Sequence, residues 1–71
     1  MKFKEGDIIK HTSFSRLIKT IIEIKNNRYY CKENYYTNLH NDTYPQLYID
    51  NNYIKVGKDN KYKKENYIRR L

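Results

Sequence analysis

The sequence predicts an all-β (mainly β) protein: a small five-stranded antiparallel barrel or sheet followed by a basic C-terminal helix or arm. Two runs of alternating apolar and polar residues flank Asn26-Asn27 within residues 20–33, TIIEIKNNRYYCKE. Asn accepts the left-handed backbone that a two-residue hairpin turn requires, so this stretch predicts a β-hairpin. The remaining apolar runs are short and separated by turn residues, which is typical of an all-β fold. With 71 residues, the chain predicts a single domain with a thin core.

The first predicted strand covers residues 8–11. Gly6 and Asp7 immediately before it are a turn signal, because Gly accepts a positive φ and Asp bonds neighbouring backbone amides. We expect Phe3 to pack back over this strand. Residues 13–15, Ser-Phe-Ser, interrupt the apolar pattern and predict a loop.

The longest predicted strand covers residues 16–25. Ile and Thr are β-branched and the pattern alternates, which favours a strand. Leu17, Ile18, Ile21 and Ile22 also fit one face of a helix, so a helix is the alternative. The Asn-Asn turn and the aromatic run that follows it favour the strand.

The two-residue turn also predicts a register for the hairpin. The predicted cross-strand pairs are Lys25 with Arg28, Ile24 with Tyr29, Ile22 with Cys31 and Thr20 with Glu33. Successive side chains of a strand point to opposite faces of the sheet. The predicted apolar face therefore comprises Ile18, Ile22, Ile24, Tyr29 and Cys31. The predicted solvent face comprises Lys19, Glu23, Arg28, Tyr30 and Lys32.

The segment after the hairpin predicts fewer regular elements. Residues 34–39, NYYTNL, predict either a further short strand or a turn that starts at Glu33. Residues 40–45, HNDTYP, are polar and contain a proline, so they predict a loop with disorder or variable contacts. Residues 46–49 then resume an apolar stretch.

The end of the chain defines the predicted domain organisation. Residues 50–52 predict a turn or a single tight helical turn, and residues 53–56 predict the last strand. We divide the chain into a β domain over residues 1–57 and a basic extension over residues 58–71. The extension predicts either a short helix capped by Asp59 or a flexible arm.

The chain has a net charge of +7, and residues 58–71 supply most of the excess. These residues contain six basic and two acidic side chains. A basic balance favours polyanionic partners such as nucleic acid, or acidic protein surfaces. The chain is also rich in Lys, Asn, Tyr and Ile, whose codons are rich in A and T. The codon bias of a low-GC genome is therefore the alternative explanation of the charge.

We expect neither enzymatic activity nor a cofactor. Cys31, His11 and His40 are scattered, whereas a structural zinc site uses four ligands in closely spaced pairs. On the predicted apolar face, Cys31 would behave as a small hydrophobic residue. A single cysteine forms no internal disulfide, which favours a reducing compartment such as the cytoplasm of a bacterial host. No run of residues is long and apolar enough for a signal peptide or a membrane span.

Two tyrosine pairs predict the binding surface. Tyr29-Tyr30 and Tyr35-Tyr36 lie on extended segments, so each pair should send one ring inward and one outward. Outward rings can stack bases while neighbouring cations bind phosphates. The candidate nucleic-acid or partner-binding residues are Arg28, Tyr30, Lys32, Tyr36, Lys58, Lys61, Lys63, Lys64, Arg69 and Arg70. The alternative is that the tyrosines only cover a small core and the cations form a solvated end.

Three segments, FKEGDII, IIEIKNNRYYCKE and LYIDNNYIKV, resemble the small Src-homology-3-like β-barrels of KOW or Tudor type. The resemblance covers residues 3–57 and is strongest to the short versions of phages and low-GC bacteria. It implies that Gly6 and Asp7 shape the entry to the first strand and that residues 50–52 form a helical turn. It further implies that Tyr53 and Val56 close the barrel. Barrels of this kind bind RNA, DNA or peptides.

Three functions follow from these observations. The first hypothesis is a non-catalytic module that binds RNA or DNA through a basic, tyrosine-rich surface. The second is a phage-encoded inhibitor or adaptor that docks on a host or defence protein, such as a CRISPR nuclease, through exposed tyrosines. The third is a homodimer formed by pairing of an open sheet edge.

Overall fold

The computed structural model describes residues 1–33 and 41–63, which form one antiparallel sheet and one short helix. In chain order the elements are β1 (Asp7–His11), β2 (Ile18–Lys25), β3 (Arg28–Glu33), β4 (Asn41–Pro45), α1 (Gln46–Asn52) and β5 (Tyr53–Lys58). The strand order across the sheet is β4-β3-β2-β1-β5, so β4 and β5 lie at its two edges. The predicted all-β class is confirmed. Among the described residues, no helix is long and apolar enough to cross a membrane.

The hairpin of β2 and β3 forms as predicted, with Asn26 and Asn27 in its turn. Their φ angles are 54° and 60°, the left-handed conformation that a two-residue turn of this kind requires. Lys25 faces Arg28 in the first cross-strand pair after the turn, as expected. The helical alternative for this stretch is therefore wrong. Pairing with strands on both sides outweighs the helical spacing of the isoleucines, because β-branched side chains fit a pleated surface.

A β-bulge in β2 changes the register beyond the turn. The pairing shifts between Ile21 and Glu23, so Ile22 is an extra residue on the β2 side. The predicted pairs Ile22 with Cys31 and Thr20 with Glu33 are therefore wrong. The observed pairs are Ile21 with Cys31, Thr20 with Lys32 and Lys19 with Glu33.

Two groups outside the hairpin satisfy the carbonyls at the bulge. The backbone N–H of Gly6 donates a hydrogen bond to the carbonyl oxygen of Ile21 at 2.7 Å, and the Tyr62 hydroxyl donates one to the carbonyl oxygen of Ile22. Buried backbone oxygens need such partners when a bulge interrupts the regular ladder. The bulge is therefore stabilised by contacts from both ends of the described chain.

The bulge inverts the predicted faces of β2 only in the part that precedes it, residues 18–21. Ile24, between the bulge and the turn, packs against the core as expected. Ile18, on the far side of the bulge, lies on the outer face, opposite Lys10 of β1. Lys19 lies on the inner face and is buried, although the sequence predicts it in solvent. The core cluster comprises Phe3, Ile9, Ile21, Tyr29, Cys31, Ile49 and Tyr53. Ile22 is also buried but lies outside this cluster.

Residues 41–45 form the edge strand β4, so the predicted loop over residues 40–45 is wrong for its described part. The five residues of β4 pair with β3 from Asn41 opposite Lys32 to Pro45 opposite Arg28. Pro45 lacks an N–H donor, and an edge strand tolerates this because its outer side has no ladder partner. Polar residues suit the same position, since an edge strand is open to water. The predicted strand or turn over residues 34–39 lies outside the described residues.

The predicted helical turn over residues 50–52 is the last part of α1, an α-helix of seven residues. Ile49 anchors α1 in the core. Tyr29 of β3 bonds α1 to the sheet, because its hydroxyl donates a hydrogen bond to Asp50 Oδ1 at 2.6 Å. The same hydroxyl accepts a hydrogen bond from the backbone N–H of Phe3 at 3.1 Å. One tyrosine of β3 thus connects the N-terminal segment, the sheet and the helix.

The described part of the predicted basic extension packs against the sheet. β5 continues to Lys58, one residue past the predicted domain boundary. The Asp59 N–H then donates to the carbonyl oxygen of Gly6 at 2.9 Å, and the Tyr62 ring packs over Gly6. Gly6 has a φ of +90°, and a Cβ at this position would lie 3.4 Å from the Tyr62 ring. Residues 59–63 are neither helix nor strand.

Candidate functional site

The outer face of β3 brings three of the predicted binding residues together. Arg28, Tyr30 and Lys32 alternate along the strand, so their side chains share one face, and all three are half-buried. Lys25 pairs with Arg28 across the hairpin and is exposed. We call Lys25, Arg28, Tyr30 and Lys32 the basic strip. It combines three cations with one aromatic ring.

Hydrogen bonds to the edge strand fix the Arg28 guanidinium at one end of the basic strip. Its Nε donates to Thr43 Oγ1 at 3.0 Å, and its Nη2 donates to the Thr43 carbonyl oxygen at 3.5 Å. A guanidinium has five N–H donors in a fixed planar arrangement, and these contacts use two of them. The other donors can bind two oxygens of an anion such as a phosphate.

The Tyr30 ring lies in the middle of the basic strip. Lys25 Nζ lies over this ring, 5.8 Å from its centroid. The Lys25 ammonium group therefore lies beside the half-buried Tyr30 ring, within the distance of a cation–π contact. Glu23 is paired with Tyr30 on β2 and adds one negative charge beside the three positive ones. The net charge of the basic strip together with Glu23 is therefore positive.

The predicted cations of the C-terminal extension lie elsewhere on the sheet. Lys58 pairs with Asp7 at the β5 edge, and β1 and β2 separate it from the basic strip. Lys61 and Lys63 are exposed and flank Tyr62, which bonds to Ile22 on the strand next to β3. The Tyr62 hydroxyl of this segment therefore reaches β2. The predicted binding residues Tyr36, Lys64, Arg69 and Arg70 lie outside the described residues.

A buried ionic cluster lies on the opposite face of the same strands. Lys19 Nζ lies 2.5 Å from Glu33 Oε1, and the two side chains are 4% and 2% exposed. Lys19 Nζ also donates to the Tyr44 hydroxyl at 3.1 Å, and this hydroxyl donates to Glu33 Oε2 at 2.7 Å. Every member thus bonds to the other two, which links β2, β3 and β4.

Aromatic rings surround the buried ammonium group. Lys19 Nζ lies 4.4 Å from the centroid of the Tyr44 ring and 5.6 Å from that of Tyr53. Tyr48 of α1 stacks on Tyr44 and meets Tyr53 edge-on. Cation–π contacts are stronger where water is excluded, so these rings offset part of the cost of burying the charge.

The sequence prediction missed this cluster, although one signal for it is present. Ile21 and Ile22 are adjacent apolar residues inside an alternating run, and both are buried. Two successive buried residues break the period of two, which indicates a bulge in a half-buried strand. A register with one extra residue would have placed Lys19 opposite Glu33.

Burial shifts the pKa of several acidic groups beneath the basic strip. Burial raises the pKa of the Cys31 thiol to about 12 and that of the Tyr29 hydroxyl, which also donates to Asp50, to about 12. Burial raises the pKa of Tyr44 as well, and its hydrogen bond to Glu33 adds to the effect. Cys31 thus stays a protonated thiol near neutral pH and packs as a small hydrophobic residue in the core.

These shifts predict a loss of stability in alkaline solution. In the unfolded chain Cys31 and Tyr29 titrate near 9.0 and 10.0, whereas in the folded chain both pKa values rise to about 12. Above pH 9 the unfolded state therefore binds fewer protons, and stability falls as pH rises towards the folded values. We expect a loss of about 2 kcal/mol between pH 8 and pH 10.

Urea unfolding at both pH values measures this loss. In Cys31→Ala the loss of stability between pH 8 and pH 10 should be smaller. Of the two groups, Cys31 has the lower pKa in the unfolded chain and so contributes more to the loss in this range. A stability that stays constant between pH 8 and pH 10 in the unsubstituted protein would contradict the burial of these two groups.

The described residues offer no arrangement for a bound metal ion. No group of three or more His, Cys, Asp or Glu side chains lies close enough together within residues 1–33 and 41–63. His11 Nδ1 instead accepts hydrogen bonds from the backbone N–H groups of Ser13 and Phe14, at 2.9 and 3.3 Å. Its ring packs between those of Phe14 and Tyr53, which makes it part of the loop and core structure.

Comparisons with known proteins give no information about this surface. No protein-family model, curated protein or solved structure matches the chain. The resemblance to KOW or Tudor barrels stays a prediction.

Proposed function

We propose that this protein is a non-catalytic module that binds nucleic acid, RNA or DNA, through the basic strip. The observation that supports this most directly is the common face of Arg28, Tyr30 and Lys32, with Lys25 beside them. Cations on such a face neutralise phosphates, and an aromatic ring between them stacks a base. The net charge of +7 adds a long-range attraction for a polyanion.

The fold proposed for this module is a Src-homology-3-like barrel. The sheet has the five antiparallel strands that the resemblance implies, and α1 lies where a helical turn is expected before the last strand. Tyr53 and Ile49 join the sheet and helix in one core, which is consistent with a curved sheet. A buried, protonated Cys31 suits a reducing compartment, and we propose the cytoplasm of a bacterial host.

The proposal is tested by a pair of variants with equal changes in net charge. Arg28→Gln with Lys32→Gln removes two cations from the basic strip, whereas Lys4→Gln with Arg16→Gln removes two exposed cations outside it. Fluorescence anisotropy with labelled oligonucleotides measures affinity at low salt. We expect the strip variant to lose about tenfold or more in affinity, because charge-assisted contacts are removed.

The control variant should lose much less, since only its contribution to the overall field changes. Equal losses in the two variants would show that net charge, and not the basic strip, determines binding. Absence of binding by the unsubstituted protein at about 50 mM salt would overturn the proposed function.

A second candidate function is a phage-type inhibitor or adaptor that docks on an acidic protein surface. One observation favours it: Leu47 is 70% exposed at the start of α1, beside a shallow depression lined by Asn27, Pro45 and Gln46. Exposed apolar side chains next to a rim of polar groups are typical of protein interfaces. Leu47→Ser removes the exposed apolar side chain without adding charge, and it should weaken such docking and leave nucleic-acid affinity unchanged.

A further inference from the structure

We infer that the basic strip binds single-stranded nucleic acid, with one base stacked on Tyr30 and the flanking phosphates bound by Arg28 and Lys32. The inference rests on the proposed function and narrows its ligand to one structural class. RNA and single-stranded DNA share the required chemistry, an unpaired base and a flexible phosphate backbone.

The spacing of the strip fits this arrangement. Arg28 and Lys32 each lie two residues from Tyr30, and two residues of an antiparallel strand span about 6.8 Å. The ring thus has one cation on each side along the strand axis. A base lying over Tyr30 would have its two adjacent phosphates directed towards these cations. Lys25, across the hairpin, widens the positive surface around the same ring.

The aromatic ring of Tyr30 is the feature that distinguishes single strands from duplexes. In a duplex both faces of each base are covered by neighbouring bases, so a tyrosine cannot stack without unstacking the helix. An unpaired base has no such restriction, and stacking on an aromatic ring increases affinity by about 5- to 150-fold. Tyr30 therefore contributes to binding a single strand and not to binding a duplex.

Lys25 currently lies over the ring that the base would use, and its contact is the weaker one. A cation–π contact at an exposed site is worth a factor of about 2 to 5, which does not exceed the gain from stacking a base. A base can therefore replace Lys25 over Tyr30. The released ammonium group then becomes available to a phosphate.

The strip is also held in position before any ligand binds. β3 pairs with β2 on one side and with β4 on the other, and Arg28 is bonded to Thr43. The inward neighbours of Tyr30 are Tyr29 and Cys31, both fully buried, so the strand cannot rotate about its axis. Groups fixed in this way lose little conformational entropy on binding, which favours affinity.

The experiment compares three ligands and three Tyr30 or Tyr48 variants of the full chain. The ligands are oligothymidine, oligouridine and a DNA duplex, each of about 12 nucleotides per strand, which is within the range that small single-strand-binding folds cover. Tyr30→Leu removes the ring and Tyr30→Phe keeps it. Tyr48→Leu removes a ring of α1 that packs on Tyr44 and Tyr53, on the inner face of the sheet. Thermal unfolding shows that each variant is folded.

We expect the unsubstituted protein to bind a single strand more tightly than the duplex. Tyr30→Leu should lower single-strand affinity by about 5- to 150-fold and leave duplex affinity unchanged. Tyr30→Phe and Tyr48→Leu should bind as the unsubstituted protein does.

Two results would overturn the inference while leaving the proposed function intact. One is a duplex affinity equal to or above that of both single strands. The other is a Tyr30→Leu variant that loses the same factor on duplex and single strand, or loses nothing. Failure of the unsubstituted protein to bind any of the three ligands would instead overturn the proposed function itself.

Discussion

Glu33→Leu is expected to destabilise the protein by about 3–5 kcal/mol, the usual cost of removing one partner of a buried ion pair. Lys19 would then keep a charge in a site that is 4% exposed, without its carboxylate partner. The Tyr44 hydroxyl would also lose its acceptor, Glu33 Oε2. A domain of this size rarely derives more than about 3–5 kcal/mol from its core, so the variant should be largely unfolded at 25 °C.

A triple variant separates the ion pair from the packing around it. Lys19→Met, Glu33→Leu and Tyr44→Phe together remove the ammonium, the carboxylate and the hydroxyl, and so leave no polar member of the cluster without a partner. Replacing a complete buried ionic network with apolar residues of similar volume is often neutral or stabilising. We therefore expect the triple variant to be at least as stable as the unsubstituted protein in urea unfolding.

The milder Glu33→Gln keeps the shape of the side chain and provides a folded intermediate case. It should be less destabilising than Glu33→Leu, because its amide oxygen still accepts one hydrogen bond. A Glu33→Leu variant as stable as the unsubstituted protein would show that Lys19 escapes to solvent and that the cluster does not link the three strands.

Nucleic-acid affinity is expected to fall steeply with salt, which is the second large effect. Each phosphate contact to a single strand contributes about −0.7 to the slope of log K against log salt. The three cations of the basic strip alone should lower affinity by about 20-fold between 50 and 200 mM salt. With Lys61 and Lys63 included, the expected loss is about 100-fold.

Titrations at four or more salt concentrations give the slope. The variant that lacks the Arg28 and Lys32 cations should have a slope smaller by about 1.4, because two contacts are gone. The control variant at Lys4 and Arg16 should keep the original slope. A slope near zero for the unsubstituted protein would contradict phosphate binding, whatever its affinity at low salt.

The hairpin could be predicted from the sequence because its determinants are local. Two asparagines with left-handed backbone fix the turn, and the first pairs after it depend only on that turn. The register of residues 19–21, which lie on the far side of the bulge from the turn, could not be predicted in the same way. It depends on Gly6 and Tyr62, which lie far from the hairpin in sequence and bond to the carbonyls of the bulge.

Strand β4 shows a second limit of local reasoning. In its sequence, NDTYP, Thr and Tyr favour a strand, but Asn, Asp and Pro are depleted in strands and outnumber them. Pairing with β3 and the bonds of Tyr44 to Lys19 and Glu33 hold it in extended form. These are long-range contacts, so tertiary structure overrides the local preference.

The common face of Arg28, Tyr30 and Lys32 was predicted better than the register, and the reason is geometric. The extra residue lies in β2, whereas Arg28, Tyr30 and Lys32 alternate along β3 without interruption. Their common face therefore does not depend on how β2 is aligned. Lys19 is the counterexample, because it lies beyond the bulge and is buried on the inner face.

The hydroxyl of Tyr62 affects where this chain can be shortened. A protein that stopped after Gly57 would lose the donor to the Ile22 carbonyl and the ring that covers Gly6. Such a fragment would expose main-chain oxygen and apolar surface at the middle of its sheet, so a drop in ligand affinity could reflect a damaged scaffold. Truncations designed to measure the contribution of the basic terminus should therefore begin beyond Tyr62.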